Sequence, residues 1–294
     1  MEVLLTGATG YIGTAVAEAL RAAGHGVTGL ARSDEAARKL EERGVKVHRG
    51  DMAQPETVAA AARLADGVIH TALPHTPDAP TLDRGLVEAV IEALAGSGKP
   101  FLYTSGVWVY GRTGDRIAVE DTPLAPIPLV AWRPAHEQLV VAAAGRGVRG
   151  LVIRPAMVYG RQGGLTMSFY QSARERGAAR VVGDGNNRWT FVHVDDLADL
   201  YVRLLDAKAG TVLVAASGTA IRVRRVAEAA SRAAGAAGRV EYWPLEEARQ
   251  ELGPFADALA LDQQISASKA QRLLGWRPHA PTVLDEFARA AATP

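Results

Sequence analysis

The sequence has no cysteine and few lysines, and both absences restrict the chemistry that it can carry. Without cysteine, the chain has no disulfide, no thiol nucleophile and no thiolate metal ligand. This composition is compatible with a cytoplasmic protein. Lysine accounts for only five of the 33 basic side chains, and the other 28 are arginine.

Signals for membranes and for nucleic acids are also missing. No apolar run approaches 18 residues, so we expect no transmembrane helix. The chain opens directly on an apolar strand, which predicts that there is no signal peptide. A net charge of +1 gives no reason to expect nucleic acid or an anionic membrane as a partner. With 48% hydrophobic residues among 294, the chain can bury a substantial core.

Strand-like and helix-like segments alternate over the first 155 residues. We predict strands at 2–6, 27–31, 45–48, 67–71, 101–104 and 150–153, and helices at 11–23, 34–43, 55–64, 81–95 and from about 134. This spacing indicates βαβ units with parallel strands. Right-handed crossovers then predict an α/β protein with a doubly wound parallel-sheet Rossmann fold.

A glycine-rich turn joins the first strand to the first helix. Gly7 permits a tight turn, Gly10 lets a pyrophosphate approach the backbone, and Gly13 lets the helix pack closely on the sheet. Free N–H groups and the positive end of the helix dipole attract phosphate at this point. We therefore predict a dinucleotide site that includes Thr6, Gly7, Thr9, Gly10, Tyr11, Ile12 and Gly13.

The residue after the second strand indicates which dinucleotide is bound. NAD-binding proteins place Asp or Glu there for the ribose hydroxyls, whereas this chain has Arg32. A guanidinium binds a 2′-phosphate through charge and paired hydrogen bonds, so NADP is favoured over NAD. Ser33 is assigned to the same site, and it or Asp34 caps the next helix. Asp51 and Met52 follow the third strand, where they could bracket an adenine.

The pattern is less regular beyond residue 155. We predict helices at 165–176, 194–206 and 223–234, strands at 212–215 and 240–243, and three short C-terminal helices. The expected organisation is a dinucleotide-binding Rossmann core over 1–160. Residues 161–294 are expected to form mainly a smaller C-terminal substrate-binding lobe, interleaved with the core.

Further motifs follow the glycine-rich turn in a fixed order. They are Gly50-Asp51-Met52, His70-Thr71-Ala72, Val109-Tyr110-Gly111 and the segments 153–160, 191–198 and 268–278. Together these motifs resemble the extended or atypical short-chain dehydrogenase/reductases, and in particular NAD-dependent epimerase/dehydratase-like members. The resemblance implies an NAD(P)-binding Rossmann fold with a smaller substrate-binding lobe. It also implies that Thr71, Ala72 and Leu73 pass the nicotinamide ribose, and that Pro155 and Val158 approach the nicotinamide.

The catalytic pair of this family is missing. The family uses Tyr-x-x-x-Lys with a nearby Ser or Thr, because the lysine ammonium lowers the pKa of the tyrosine. None of the seven tyrosines is followed four residues later by lysine. Alignment on Glu137 puts Leu129 at the tyrosine position and Arg133 at the lysine position. Pro134 then falls in the first turn of the helix.

Other polar side chains are candidates for catalysis. Ser105, at the end of a parallel strand, could bind a substrate or only form a turn. His136 is the strongest candidate for an acid, because the unperturbed pKa of histidine is near 6.5; a surface or structural role is the alternative. Tyr110 is a third candidate. The seven histidines show no metal-ligand spacing, so we predict no metal.

Three functions are compatible with these observations. The first is an NADP-dependent oxidoreductase that transfers hydride to a small organic carbonyl, imine or enone. Reduction of a carbonyl needs an acid, whereas an iminium ion does not. The second is a non-catalytic NADP-binding redox sensor or regulatory protein, resembling the NmrA-like group. The third is a sugar-nucleotide epimerase or dehydratase, although those reactions normally need the tyrosine base.

The helices predicted at 81–95 and 134–144 carry broad apolar faces. In the family that the chain resembles, such helices often form a four-helix dimer interface, so we predict a homodimer. Light scattering at micromolar concentration is expected to give twice the chain mass. A single monomeric peak would contradict this prediction.

Overall fold

The computed structural model describes residues 1–292, which form two compact units. The first unit comprises residues 1–105, 132–154 and 197–213. The second comprises 106–131, 155–196 and the described residues from 214 onward. The binding roles assigned above to 1–160 and 161–294 stay predictions.

The strands and helices alternate along most of the chain. The strands are β1 (Glu2–Thr6), β2 (Gly26–Ala31), β3 (Lys46–Arg49), β4 (Gly67–His70), β5 (Pro100–Thr104), β6 (Ile117–Ala118), β7 (Arg149–Pro155), β8 (Met157–Gly160), β9 (Gly163–Gly164), β10 (Ala179–Val182), β11 (Arg188–His193), β12 (Val212–Ala215), β13 (Ser217–Arg222), β14 (Val240–Trp243) and β15 (Gln264–Ile265). The helices are α1 (Tyr11–Ala22), α2 (Asp34–Glu42), α3 (Pro55–Leu64), α4 (Ala79–Leu94), α5 (Arg133–Ala142), α6 (Met167–Arg176), α7 (Val194–Leu204), α8 (Val223–Ala233), α9 (Leu245–Leu252), α10 (Phe255–Leu259), α11 (Ser268–Leu274) and α12 (Val283–Ala292).

One seven-stranded sheet within the described chain has the order β12-β7-β5-β4-β1-β2-β3. The pairs β1–β2, β1–β4, β2–β3, β4–β5 and β5–β7 are all parallel. The direction of strand addition reverses at β1, which has β2 on one side and β4 on the other. Ligands bind at this kind of switch point, outside the carboxyl ends of the strands. The predicted doubly wound Rossmann fold is confirmed.

Helix α4 shows why these segments pack as predicted. Its buried residues recur at the spacing of one helical face: Ala79, Asp83, Leu86, Val87, Val90, Ile91 and Leu94. Most of this face joins a core with Phe101 of β5 and Val152 of β7. Asp83 is the exception, because it places a carboxylate where the helical period calls for an apolar side chain.

The second unit contains strands that the sequence analysis missed. Strands β13, β11, β8 and β9 form one sheet in that order, and β10 pairs with β14. Within the described residues, seven strands of this unit were not predicted: β8, β10, β11 and β13 have four to six residues, and β6, β9 and β15 have two. The β11–β13 register shifts between Trp189 and Phe191. Short strands with an irregular register lack the regular alternation that identifies a strand in a sequence.

The C-terminal region holds four helices within the described residues, α9 to α12, rather than the three predicted. Gly253 and Pro254 separate α9 from α10, because Gly253 has a φ of +55° and ends the first of these helices. The described residues contain no helix with the length and apolar character needed to cross a bilayer.

The core position of α4 predicts a large difference between two leucine substitutions. Leu86→Ala removes a fully buried side chain and is expected to lower the free energy of unfolding by about 2–5 kcal/mol. The matched change Leu64→Ala, at a side chain that is 81% exposed, is expected to change it by less than about 0.5 kcal/mol. Urea denaturation of the two variants measures both values. Equal effects would contradict the packing of α4.

Candidate functional site

The glycine-rich turn brings the end of β1 against the segment that follows β4. Gly7 has a φ of +73°, and a Cβ there would lie 2.7 Å from the backbone nitrogen of Ala72. A Cβ on Gly13 would lie 2.1 Å from the carbonyl oxygen of Gly7. Gly10 is the N-cap residue of α1, and it has no side chain that could cap the helix. Since these three positions carry no side chain, a phosphate could approach the backbone at the start of α1. The residues present therefore fit a dinucleotide.

Two arginines lie near the carboxyl ends of neighbouring strands. Arg32 directly follows β2 and is exposed, and no carboxylate within residues 1–292 pairs with it. Arg49, the last residue of β3, stands opposite Ala31 in the register and pairs with Asp34 at 2.5 Å. Ser33 caps α2, because its hydroxyl accepts a hydrogen bond from the Ala36 N–H. Within the described residues, this edge of the sheet therefore presents the unpaired guanidinium of Arg32, while the carboxylate of Asp34 is paired with Arg49.

The other residues predicted to bind the cofactor have varied local roles. Asp51 accepts a hydrogen bond from the Ala53 N–H at 3.0 Å, and Met52 packs against the core of the first unit. Thr71 donates to the carbonyl oxygen of Thr6 at 2.8 Å, and Leu73 is 40% exposed. Pro155 and Val158 belong to the second unit. Their assignment to the cofactor stays a prediction.

A buried cluster of polar side chains surrounds the carboxylate of Asp83. Oδ1 lies 3.0 Å from Nε2 of His70, and Oδ2 lies 2.7 Å from Nδ1 of His136. The hydroxyl of Tyr103 donates to Oδ2 at 2.9 Å. On the far side of the His70 ring, Nδ1 lies 2.6 Å from the hydroxyl oxygen of Thr6. Elements β1, β4, α4, β5 and α5 therefore meet at this carboxylate, which we call the Asp83 cluster.

The environment of Asp83 keeps its carboxyl group ionised. Burial raises the pKa of this carboxyl group, but hydrogen bonds from His136 and His70 lower it by more. The result is a pKa well below the usual value for aspartate. The described part of the chain contains no group of three side chains that could bind a metal ion. The Asp83 cluster is therefore described by its hydrogen bonds and charges.

The sequence analysis named His136 but not Asp83. Asp83 occupies a position on the apolar face of α4, and this was the available signal. A carboxylate at a core position needs donors, and histidines are common donors to it. Which histidines would reach it depends on the packing of α4 against β4 and α5, and the sequence does not contain that information.

Arg133, which the alignment puts at the lysine position, is buried and already bonded. Its guanidinium donates to the carbonyl oxygen of Thr104 at 2.8 Å and to the hydroxyl oxygen of Tyr103 at 3.4 Å. Helix α5 does begin at Arg133 with Pro134 in its first turn, as predicted. Leu129, at the tyrosine position, is 36% exposed and has no acidic or basic group. The arginine therefore stabilises the end of β5 instead of activating a tyrosine.

The remaining catalytic candidates lie in different units. Ser105 follows β5 in the first unit, and its backbone N–H donates to the Ile153 carbonyl at 2.8 Å. Its hydroxyl is buried and has no hydrogen-bond partner within residues 1–292. Tyr110 belongs to the second unit, where it is 3% exposed. A buried hydroxyl without a partner is costly, so Ser105 is the candidate whose polar group is left for a ligand.

Two of the family-like motifs meet inside the second unit. Trp276 is fully buried, and its Nε1–H donates to the carbonyl oxygen of Asp196 at 3.0 Å. The carboxylate of Asp196 accepts from the backbone N–H of His279 at 3.0 Å and from that of Ala280. The second of the paired aspartates, Asp195-Asp196, is thus a structural anchor for the C-terminal segment.

Known proteins are similar to this chain over nearly its whole length. An uncharacterised protein of Schizosaccharomyces pombe is 31% identical over 98% of this chain and 98% of its own length. The 3-diazoavenalumate denitrifying reductase of a Streptomyces species is 28% identical, over 98% of this chain and all of that relative. Among solved structures, the UDP-glucose 4-epimerase of Thermus thermophilus, in complex with NAD, has a TM-score of 0.79 and 24% identity. The match covers 98% of this chain and 99% of the epimerase.

A sequence model of a protein family also matches this chain. The model of the NAD dependent epimerase/dehydratase family matches residues 3–216, from the first strand of the Rossmann sheet to the residue after β12. This range includes the glycine-rich turn, the whole Asp83 cluster and Ser105. The chain therefore belongs to the NAD dependent epimerase/dehydratase family.

Proposed function

We propose that the protein is an NADP-dependent oxidoreductase that transfers hydride to a small organic carbonyl, imine or enone. The observation that supports this proposal is at the carboxyl edge of the sheet: the glycine-rich turn follows β1, and Arg32, which has no ion-pair partner within residues 1–292, follows the neighbouring parallel strand β2. Family membership and the similarity to a named reductase support a nicotinamide cofactor and redox chemistry.

The residues of the first unit account for the binding of NADP. The turn at Gly7, Gly10 and Gly13 would hold the pyrophosphate at the start of α1. Arg32 would bind the 2′-phosphate, because a guanidinium matches phosphate in charge and in geometry. Thr71, Ala72 and Leu73 would follow the ribose next to the nicotinamide. When bound, the cofactor supplies the hydride.

Ser105 is proposed to bind the reacting end of the substrate. Its hydroxyl is buried and unpartnered in the described chain, so a substrate oxygen or nitrogen can receive its hydrogen bond without displacing another. Pro155 and Val158 would shape the nicotinamide end of the site, and Tyr110 stays a further candidate. Asp51 and Met52 are assigned to the adenine end.

A non-catalytic NADP sensor is the second candidate, and the missing Tyr-x-x-x-Lys pair favours it. A sugar-nucleotide epimerase or dehydratase is the third; the similar Thermus thermophilus structure carries that kind of name. Those reactions normally need the tyrosine base that this chain lacks.

Oxidation of NADPH in a broad screen of ketones, imines and enones supports the reductase, whereas binding without any turnover supports the sensor.

Arg32→Ala tests the choice of cofactor. Loss of one charge-assisted phosphate contact removes about 1.5–3 kcal/mol, so we expect the Kd of NADPH to rise about 10- to 100-fold. The Kd of NADH is expected to stay within about twofold, because NADH has no 2′-phosphate. Fluorescence titration of both dinucleotides measures these constants.

The matched control is Arg38→Ala, which removes the same charge from an exposed site on α2. This variant is expected to bind both cofactors like the wild type. Equal affinity of the wild-type protein for NADPH and NADH would refute the NADP assignment. An equal loss of NADPH affinity in both variants would show a general effect of charge rather than a contact with Arg32.

A further inference from the structure

The proton positions in the Asp83 cluster follow from its distances. An ionised carboxylate only accepts hydrogen bonds, so the three groups that contact Asp83 must all donate. Tyr103 donates through its hydroxyl, His70 through Nε2 and His136 through Nδ1. A neutral His136 ring therefore carries its proton on Nδ1. Its other nitrogen, Nε2, then carries no proton.

The two histidines differ in what remains available to a reaction. His70 is bonded at both nitrogens, because Nε2 donates to Asp83 and Nδ1 accepts from the hydroxyl of Thr6. For His136, the contact through Nδ1 is the only hydrogen bond that the structure gives the ring over residues 1–292. Trp132 packs beside this ring, with the ring centroids 4.8 Å apart. His136 is 4% exposed; its Nδ1 is hydrogen-bonded, whereas its Nε2 has no hydrogen-bond partner within residues 1–292.

The charges around the cluster are balanced when both histidines are neutral. The anions are Asp83 and Glu137, and the cations are Arg133 and Arg154. Glu137 is held by Arg154, whose Nε lies 3.0 Å from Oε1. Arg133 bonds to the same Tyr103 hydroxyl that donates to Asp83. Arg154 thus holds the carboxylate of Glu137, and the carboxylate that contacts the ring of His136 is that of Asp83.

The tyrosines near the end of β5 are poor alternatives as proton donors. Tyr103 donates to Asp83, and burial raises its pKa well above the usual value. Tyr201 is fully buried and shares a hydrogen bond of 2.6 Å with the hydroxyl of Thr104. Burial raises the pKa of Tyr201 as well. Each hydroxyl is already used inside the first unit, which leaves the imidazole of His136.

We propose that His136, positioned by Asp83, donates the proton in carbonyl reduction and replaces the absent Tyr-x-x-x-Lys pair. This inference rests on the proposed NADPH-dependent reduction. The carbonyl carbon would gain the hydride that bound NADPH supplies, and the π electron pair would move to oxygen. His136, protonated at both nitrogens, would give its Nε2 proton to that oxygen, which yields the alcohol and neutral His136 with its proton on Nδ1. A proton taken up from solvent would then restore the protonated ring, so the reduction consumes one proton overall. Asp83 is a positioning residue, since it fixes the tautomer and orientation of the ring.

The first test measures the tautomer without any turnover. Long-range ¹H–¹⁵N spectra of the protein without cofactor, with the signal assigned by His136→Gln, are expected to show the Nδ1–H form for the neutral ring. In Asp83→Asn the amide can donate to Nδ1, so the ring is expected to change to the Nε2–H form. An Nε2–H ring in the wild type, or the same tautomer in both proteins, would overturn the positioning role of Asp83.

The second test compares two substrates that differ in their need for an acid. The probes are 4-nitrobenzaldehyde and the N-methyl-3,4-dihydroisoquinolinium ion, each reduced with NADPH. Loss of a general acid costs about 10²- to 10⁴-fold, so His136→Gln is expected to lower kcat for the aldehyde by at least about 100-fold. The iminium ion already carries its positive charge, so its kcat is expected to change by less than about threefold.

The matched control is His48→Gln, the same substitution at a histidine of β3 outside the Asp83 cluster. It is expected to reduce both probes like the wild type. An equal loss on both probes in His136→Gln would overturn the proposal, because a merely structural effect does not distinguish them. A wild-type protein that reduces only the iminium ion, or neither probe, would also overturn it.

These outcomes are separate from failure of the proposed function. A wild-type protein that does not bind NADPH in a fluorescence titration refutes the NADP-dependent reductase and the proton-donor role with it. If the wild-type protein binds NADPH and reduces the iminium ion but not the aldehyde, the proposed reductase function is supported. Only the role of His136 as the acid is then refuted.

Discussion

Burial of one carboxylate is the constraint on which the polar interior of the first unit depends. Asp83 is 1% exposed, and an ionised group at that depth is stable only with a complete set of donors. The donors come from β4, β5 and α5, while Asp83 itself comes from α4. Since His70 also contacts Thr6 at the start of the glycine-rich turn, the same network reaches the backbone that is proposed to bind the nucleotide.

This network also explains why an arginine fits where the family has lysine. The lysine of a Tyr-x-x-x-Lys pair must reach the tyrosine and the cofactor, whereas Arg133 is held at the end of β5 by Thr104 and Tyr103. Its planar guanidinium can bond to both groups at once. Arg133 therefore places a positive charge at the first residue of α5.

The motifs shared with the family serve different purposes in the two units. In the first unit, glycines appear where a Cβ would collide with backbone, as at Gly7 and Gly13. In the second unit, the motif around Asp196 holds the segment that follows Trp276 through backbone hydrogen bonds. A motif can thus mark a binding surface or only a structural anchor, and the contacts distinguish the two.

The sequence alone determined the parallel sheet, the glycine-rich turn and the absence of Tyr-x-x-x-Lys. These properties depend on local patterns: apolar periodicity, glycine spacing and the residue four positions after each tyrosine. The seven described strands of the second unit that were not predicted are too short or too irregular in register to leave a regular alternation in the sequence. Only the tertiary structure decided that Asp83 lies between His70 and His136, because residues 13 and 53 positions away meet there through the packing of helices on the sheet.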